Sequence, residues 1–276
     1  MMRQKAICII ILIFFSIPSL DISAQQPGTE EILEDLFSRI LNTRSNDERI
    51  RINDSINLLI EKYVASEVIF THRFENLRYL GQIPSPDSRV KIVTWNLILT
   101  DGTNRYFCYI IRKEGQGREN KIYRLTGANM DEAPKTDITY TADDWYGALY
   151  YGIQPFRIGK ETCYAVLGLD YGSLQLSRKI IDVMSFSEEG DIIFGRECFQ
   201  KEDQLRSRVV LEYSADGVMT LRFNDKKTII FDRLAPVNKG QGINPEYYGT
   251  EFSFDAYKLK KGLWRFVKNV EVKNRQ

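Results

Sequence analysis

Residues 91–112 are KIVTWNLILTDGTNRYFCYIIR, and this stretch decides the fold class. In its first half, apolar side chains stand at every second position, namely Val93, Trp95, Leu97 and Leu99, with Thr94, Asn96 and Ile98 between them. Such alternation is typical of a strand with one buried face. The next four residues, Asp101–Asn104, have the composition of a tight turn, so residues 105–112 are predicted to return as the second strand of a β-hairpin.

Similar short runs recur along the rest of the chain. They are Ile122–Leu125, Ala148–Phe156, Thr162–Leu169, Lys179–Phe186, Ile192–Phe199, Val209–Tyr213, Val218–Phe223, Ile229–Phe231, Glu251–Tyr257 and Leu263–Val267. Turn residues separate these runs, and no helical pattern intervenes after Val64. The sequence therefore predicts a mainly β domain over residues 67–276, an antiparallel meander that forms a sandwich or a barrel-like sheet.

A helical hairpin, an αα-hairpin over residues 25–66, is predicted to precede this domain. Thr29 can cap a first helix, because Glu30 and Glu31 follow it in the first turn. The second helix carries an apolar stripe formed by Ile52, Ile56, Leu59, Ile60 and Tyr63. We expect the hairpin to pack against the β domain, and a contact surface for a partner protein is the alternative.

Residues 1–24 show the three parts of a cleavable signal peptide. Met1–Lys5 is basic, Ala6–Ile17 is apolar apart from Ser16, and residues 23–25 offer a small-residue cleavage site. The apolar part is shorter than the roughly 20 residues that a membrane-spanning helix needs, and charged residues interrupt every later apolar run. We predict an exported protein, periplasmic or secreted, with no membrane span in the mature chain.

The charge balance argues against a nucleic-acid partner. Residues 1–24 hold two of the 38 basic and one of the 37 acidic residues, so the mature chain is formally neutral. A nucleic-acid-binding protein needs a basic field that displaces counterions from phosphate. We therefore expect no nucleic acid, and the partner is predicted to be an envelope protein or a glycan.

Neither a histidine-based nucleophile nor a metal site is indicated. His72 is the single histidine, and no nucleophile turn surrounds a nearby serine. The mature chain has three cysteines, Cys108, Cys163 and Cys198, without the paired spacing of zinc ligands. We predict no metal and no cofactor. Cys163 and Cys198 lie in predicted strands and could form a disulfide outside the cytoplasm, and buried free thiols are the alternative.

Carboxylates offer the remaining catalytic chemistry. Glycoside hydrolysis needs two carboxyl groups about 5–9.5 Å apart. The available residues are Asp143, Asp144, Glu161, Asp170, Asp182, Asp232 and Asp255. The sequence does not pair them, so catalytic residues stay unassigned.

Aromatic clusters beside two irregular loops, Gly127–Asp144 and Pro236–Tyr248, are the candidate binding residues. They are Trp145, Tyr146, Tyr150, Tyr151, Tyr247 and Tyr248. Exposed rings of this kind stack on sugars or anchor peptides at low entropic cost. The alternative is that these rings fill strand cores, as we expect of Trp95 and Trp264.

Several segments of the second half resemble a family of exported β-rich proteins from Bacteroidetes. The similarity lies in Tyr150–Gly152, Cys163–Asp170, Arg178–Gly195, Arg208–Phe223, Ile229–Pro236 and Tyr247–Phe266. Leu169 departs from it, since tryptophan is expected before Asp170. The resemblance implies export and β-architecture, and it carries over no catalytic residue.

Three functions follow from these patterns. The first is a non-enzymatic envelope protein that binds a partner or a glycan, with the predicted aromatic residues exposed. The second is a hydrolase that acts on carbohydrate through carboxylates. The third is an assembly factor that uses the helical hairpin as its contact surface.

Overall fold

The computed structural model describes residues 28–115, 119–127, 132–236 and 244–272. It is mainly β, with 48% of the described residues in strands and 16% in helices; two helices lie at the N-terminus, and one of the antiparallel sheets curls into a half-barrel. The predicted fold class is therefore confirmed. The predicted signal peptide lies outside the described residues.

The two helices form the first layer of the molecule. They are α1 (Thr29–Asn42) and α2 (Asn46–Val64). Gly28, one residue before the predicted cap, precedes α1, and the Ser45 hydroxyl caps α2 by accepting from the Glu48 amide at 3.4 Å. Ile52 and Ile56 are buried, so the apolar stripe of α2 belongs to the core and not to an exposed contact surface. Among the described residues, no helix has the length and apolar character needed to cross a bilayer.

The first sheet carries the hairpin that the alternation at residues 91–112 predicts. Its strands, in spatial order, are β1 (Gly81–Pro84), β2 (Val90–Ile98), β3 (Asn104–Arg112) and β4 (Lys121–Leu125). Trp95 is fully buried, as predicted, and its indole N–H donates to the Asn53 side chain of α2 at 2.9 Å. This bond joins the helical layer to the sheet.

The middle sheet has the order β11-β7-β6-β5, with β8 paired to β7. Its strands are β5 (Leu149–Ile158), β6 (Glu161–Asp170), β7 (Leu176–Phe186), β8 (Ile192–Phe194) and β11 (Val209–Ser214). Side chains of β6 alternate between two cores: Tyr164 and Val166 face the first sheet, while Cys163 and Ala165 face the outer sheet. The sheet is therefore covered on both faces.

The outer sheet has the order β10-β9-β15-β14-β13-β12. Its strands are β9 (Phe199–Lys201), β10 (Gln204–Arg206), β12 (Leu221–Asp225), β13 (Thr228–Pro236), β14 (Tyr248–Lys260) and β15 (Leu263–Val270). Trp264 is fully buried in it, as predicted. The run Ile192–Phe199, predicted as one strand, divides between β8 and β9, because Gly195 adopts a φ of +93° that ends the extended backbone.

Three apolar cores hold four layers together. The first core lies between the helices and the first sheet, the second between the first and middle sheets, and the third between the middle and outer sheets. The middle sheet thus contributes one face to each of the last two cores. Side chains of the middle sheet can therefore be reached at its strand ends, turns and edges, whereas the outer sheet also has an exposed face.

Candidate functional site

Each buried aspartate of the described chain is matched by an arginine. The three pairs are Asp170–Arg178 at 2.9 Å, Asp182–Arg208 at 2.9 Å and Asp255–Arg233 at 2.6 Å. A paired carboxylate of this kind stabilises structure and does not supply a free general base. The pairs were not visible in the sequence, because up to 26 residues separate the partners.

The two carboxylates of the middle sheet are also too far apart for glycoside hydrolysis. Asp170 lies opposite Arg178, and Asp182 lies opposite Val166, in the pairing of β6 with β7. Four residues therefore separate their positions along the strands, or about 13 Å at about 3.4 Å per residue. Carboxyl pairs that hydrolyse glycosides stand about 5–9.5 Å apart. These two aspartates do not form such a pair.

The Asp182–Arg208 pair is the most enclosed polar group of the structure, with both side chains fully buried. The Arg208 guanidinium also donates to the main-chain carbonyl oxygens of Lys135 and Phe194, and it lies 4.5 Å from the Tyr140 ring centre. Burial raises the pKa of the Asp182 carboxyl, and the Arg208 charge lowers it in part. The arrangement fixes the segment from residue 132 onto the middle sheet.

The predicted aromatic platform does not form as a whole, because three of its members are core residues. Trp145, Tyr146 and Tyr150 are 0%, 4% and 2% exposed. The Trp145 indole N–H donates to the Tyr150 hydroxyl at 2.9 Å, and the Tyr146 and Tyr150 hydroxyls are 2.9 Å apart. Since the polar tips bond to one another, the rings can be buried completely. Their assignment as exposed binding residues is corrected accordingly.

Tyr151 is a platform member that the structure does expose. It is the extra residue of a β-bulge, since Tyr150 pairs with Gly168 and Gly152 with Leu167. The residue is 39% exposed, although burial of its phenol raises its pKa, and the Lys179 ammonium nitrogen lies 4.5 Å from its ring centre. Burial lowers the pKa of Lys179. An exposed ring with a cation held against it is the arrangement on which a ligand could stack. We call Tyr151 and Lys179 the Tyr151 surface.

Tyr247 and Tyr248 belong to elements other than β5. Tyr247 ends a 3₁₀ turn, Pro245–Tyr247, that packs against β11, and it is 42% exposed. Tyr248 begins β14 and pairs with Pro236. Tyr213 of β11 also contributes to the raised pKa of Tyr151, so Tyr151 and the Tyr247 turn both lie near β11. Parts of both neighbouring loops, residues 128–131 and 237–243, lie outside the described residues.

A buried lysine that no sequence pattern singled out, Lys91, lies beside His72. The Lys91 ammonium donates to the Tyr63 hydroxyl at 2.7 Å and to the carbonyl oxygens of Ile69 and His72 at 2.7 and 2.8 Å. Burial, with a smaller effect from Arg73, lowers the pKa of Lys91 from 10.5 to about 8. All three ammonium protons are used, so this group stabilises the turn after α2 and leaves no proton donor for a substrate.

Cysteine and metal chemistry add no further site within the described ranges. Cys108, Cys163 and Cys198 are buried and free. Burial raises the pKa of each thiol, so none is a reactive thiolate at neutral pH. The described residues hold no cluster of three potential metal ligands.

The chain was compared with known proteins at the levels of family, sequence and structure. No protein-family model matches it, and no curated protein and no solved structure gives a match.

Proposed function

We propose that this chain is an exported, non-enzymatic binding protein of the cell envelope, with the Tyr151 surface as its ligand contact. The observation that supports the proposal is the exposed Tyr151 ring with Lys179 against it. The amino-terminal signal sequence supports the location.

A glycan is the ligand class that best suits this surface. The C–H faces of a sugar ring stack on an exposed tyrosine, whose rigid ring loses little entropy on binding. A nearby ammonium group adds a donor for sugar hydroxyls or a charge for an acidic substituent. A partner protein that inserts an apolar side chain beside Tyr151 is the alternative ligand.

The absence of an unpaired carboxylate pair in the middle sheet supports a non-enzymatic role. Asp170 and Asp182 are each held by an arginine at 2.9 Å. A glycosidase needs one protonated and one ionised carboxyl group facing the same bond. Binding without turnover is therefore the function that the geometry favours.

A glycan array tests the proposal directly. Protein starting at Gln25 is compared with Tyr151→Ala, and Tyr79→Ala is the matched control, because Tyr79 is 56% exposed and lies beside the helical layer. Loss of a stacked ring is expected to weaken binding about tenfold or more, as for a contact worth about 1–2 kcal/mol. A blank array, or equal signals from the two variants, would contradict a glycan site at Tyr151.

Export is tested by the amino terminus of the native protein. We expect purified protein from the producing cell to begin at Gln25 and to appear in the envelope or medium fraction. Recovery with Met1 from the cytoplasmic fraction would contradict the proposed location.

A further inference from the structure

A cavity of about 380 Å³ opens beside β5, between the β1–β2 turn and the β12–β13 turn, at the end of β5 remote from Tyr151. Its lining includes Gln154, Phe156, Arg157, Lys226, Lys227 and Leu259. The β12–β13 turn is fixed to β14, because the Leu259 amide donates to the Lys227 carbonyl oxygen at 2.8 Å. The β14–β15 turn reaches the β5–β6 turn at Gly262, where an added Cβ would lie 3.5 Å from the Arg157 carbonyl oxygen. We call this cavity the basic pocket.

The charges of the basic pocket are predominantly positive and are not neutralised within the described chain. No described carboxylate lies within 4.0 Å of the Arg157, Lys226 or Lys227 side-chain nitrogens. Lys160 and Lys261 occupy the adjoining turns, and Glu161 and Asp225 are the acidic residues beside them. The chain as a whole carries a formal net charge of +1, so this concentration of cations is local.

Asp87 is the acidic residue of the lining, and its carboxylate already has donors. The Ser85 hydroxyl and the Arg89 amide donate to one oxygen, and the Tyr164 hydroxyl donates to the other at 3.1 Å. Asp87 therefore stabilises the β1–β2 turn and does not form an ion pair with the lysines across the cavity. An anionic ligand would find three cations whose charge is uncompensated by a close ion pair.

The lining of the cavity combines apolar residues with the Gln154 amide, whose hydrogen-bonding capacity is only partly used. Phe156 is buried, and Pro86 and Pro155 lie at the margin. Gln154 is 9% exposed, and the contact that its amide nitrogen makes in the described chain is a long one, 3.4 Å to the Pro155 carbonyl oxygen. An amide and cations beside an apolar wall are suited to a sugar that has hydroxyl and carboxylate groups.

We infer that the basic pocket binds an acidic polysaccharide, with Arg157, Lys226 and Lys227 facing the carboxylates of its sugar residues. The cavity lies within the range of about 300–1,000 Å³ that is typical of small-ligand pockets, so it accommodates sugar residues of a chain. A nucleic acid or a bilayer surface instead requires a long basic track or a broad basic face. This inference does not depend on the Tyr151 surface, which lies at the other end of β5.

The test is a calorimetric titration of protein starting at Gln25 with polygalacturonate, a polymer that carries one carboxylate per sugar. Fully methyl-esterified polygalacturonate is the matched ligand without charge. Lys226→Gln combined with Lys227→Gln removes two exposed charges from the pocket, and Arg51→Gln combined with Lys62→Gln removes two exposed charges from α2. Circular dichroism and thermal unfolding check that both variants remain folded.

We expect the pocket variant to bind polygalacturonate about tenfold more weakly and the α2 variant to bind within about twofold of the unaltered protein. Binding should also weaken in about 0.5 M salt, and the esterified polymer should not bind. Tyr151→Ala should leave this binding unchanged, which separates this inference from the proposed function.

Three results would overturn the inference. Equal losses in the two double variants would show a response to total charge and not to the pocket. No binding of polygalacturonate by the folded protein would remove the proposed ligand class. Binding of phosphatidylglycerol vesicles or single-stranded DNA without binding of polygalacturonate would assign the cations to another class of polyanion.

Discussion

The Arg208 guanidinium lies 2.9 Å from the Asp182 carboxylate, and neither side chain is exposed to solvent. Asp182 belongs to β7, and Arg208 directly precedes β11. Gly195 allows the close approach, since a Cβ at that position would lie 2.5 Å from an Arg208 terminal nitrogen. The pair therefore depends on a glycine and ties three segments of the chain to one edge of the middle sheet.

Replacing Arg208 with methionine is expected to lower the free energy of unfolding by about 3–5 kcal/mol, because the Asp182 charge is left buried and unpaired. Urea denaturation measures the loss. The control is Arg196→Met, which removes an exposed pair with Glu161 at 2.9 Å and should cost less than about 1 kcal/mol. Similar losses in the two variants would mean that breaking the buried pair costs no more free energy of unfolding than breaking an exposed pair.

Thiol titration distinguishes free cysteines from a disulfide. We expect native protein starting at Gln25 to react with no more than a trace of thiol reagent, because all three thiols are buried and their pKa values are raised. In denaturant without reductant, all three should react. One reactive thiol per chain would instead indicate that Cys163 and Cys198, or another pair, are joined in the exported protein.

Alkaline pH is expected to unfold the protein. Burial raises the phenol pKa above 10.0 for nine buried tyrosines: Tyr63, Tyr106, Tyr109, Tyr123, Tyr146, Tyr150, Tyr164, Tyr213 and Tyr257. Above pH 10 the unfolded chain loses these protons while the folded chain keeps them, so the free energy of unfolding falls as pH rises.

Phenolate absorbance and far-ultraviolet circular dichroism measure this effect together. We expect the buried phenols to ionise in the same transition as the loss of strand signal. Complete ionisation near pH 10 with an unchanged circular dichroism spectrum would contradict the burial of these phenols.

Over a lower range of pH, Lys91 should make the free energy of unfolding rise with pH, which is opposite to the effect of the tyrosines. Its pKa is lowered to about 8 in the folded protein, against 10.5 for an unperturbed lysine. Between these values the unfolded chain holds the extra proton, so the Lys91 contribution to the free energy of unfolding rises with pH. Urea denaturation of the unaltered protein and of Lys91→Met at pH 7.5 and about 9.5 should show a widening difference. A constant difference would place the pKa of Lys91 at its ordinary value.

The strand pattern was predictable because alternation is local. Val93, Trp95 and Leu97 all lie in the first core, as their spacing predicted, and the hairpin of β2 and β3 pairs throughout from Val90–Arg112 to Ile98–Asn104. The four-residue β1 escaped prediction, since a strand this short that ends in proline has little pattern of its own. The order of the layers depends on contacts between distant segments, which alternation does not encode.

The candidate site was less predictable, for a reason that Tyr150 and Tyr151 illustrate. These neighbours have the same side chain, yet Tyr150 is 2% exposed and Tyr151 is 39% exposed. A β-bulge places the second ring beside Lys179, and Gly152, a glycine within the strand, is the local signal that could have indicated it. The hydrogen bond from Trp145 to Tyr150 is likewise visible only once the chain is folded. The basic pocket joins β5 and β14 to two turns that lie far apart in the sequence.

Because the middle sheet has an apolar core on each face, the chain is not expected to yield a smaller folded fragment. Removing either outer layer would uncover a complete apolar face of β5, β6 and β7, so a shortened chain should aggregate and not persist as a smaller folded unit. Insertions and fused sequences are then best placed at the hairpin tips. The layers of this protein are therefore expected to fold and unfold together.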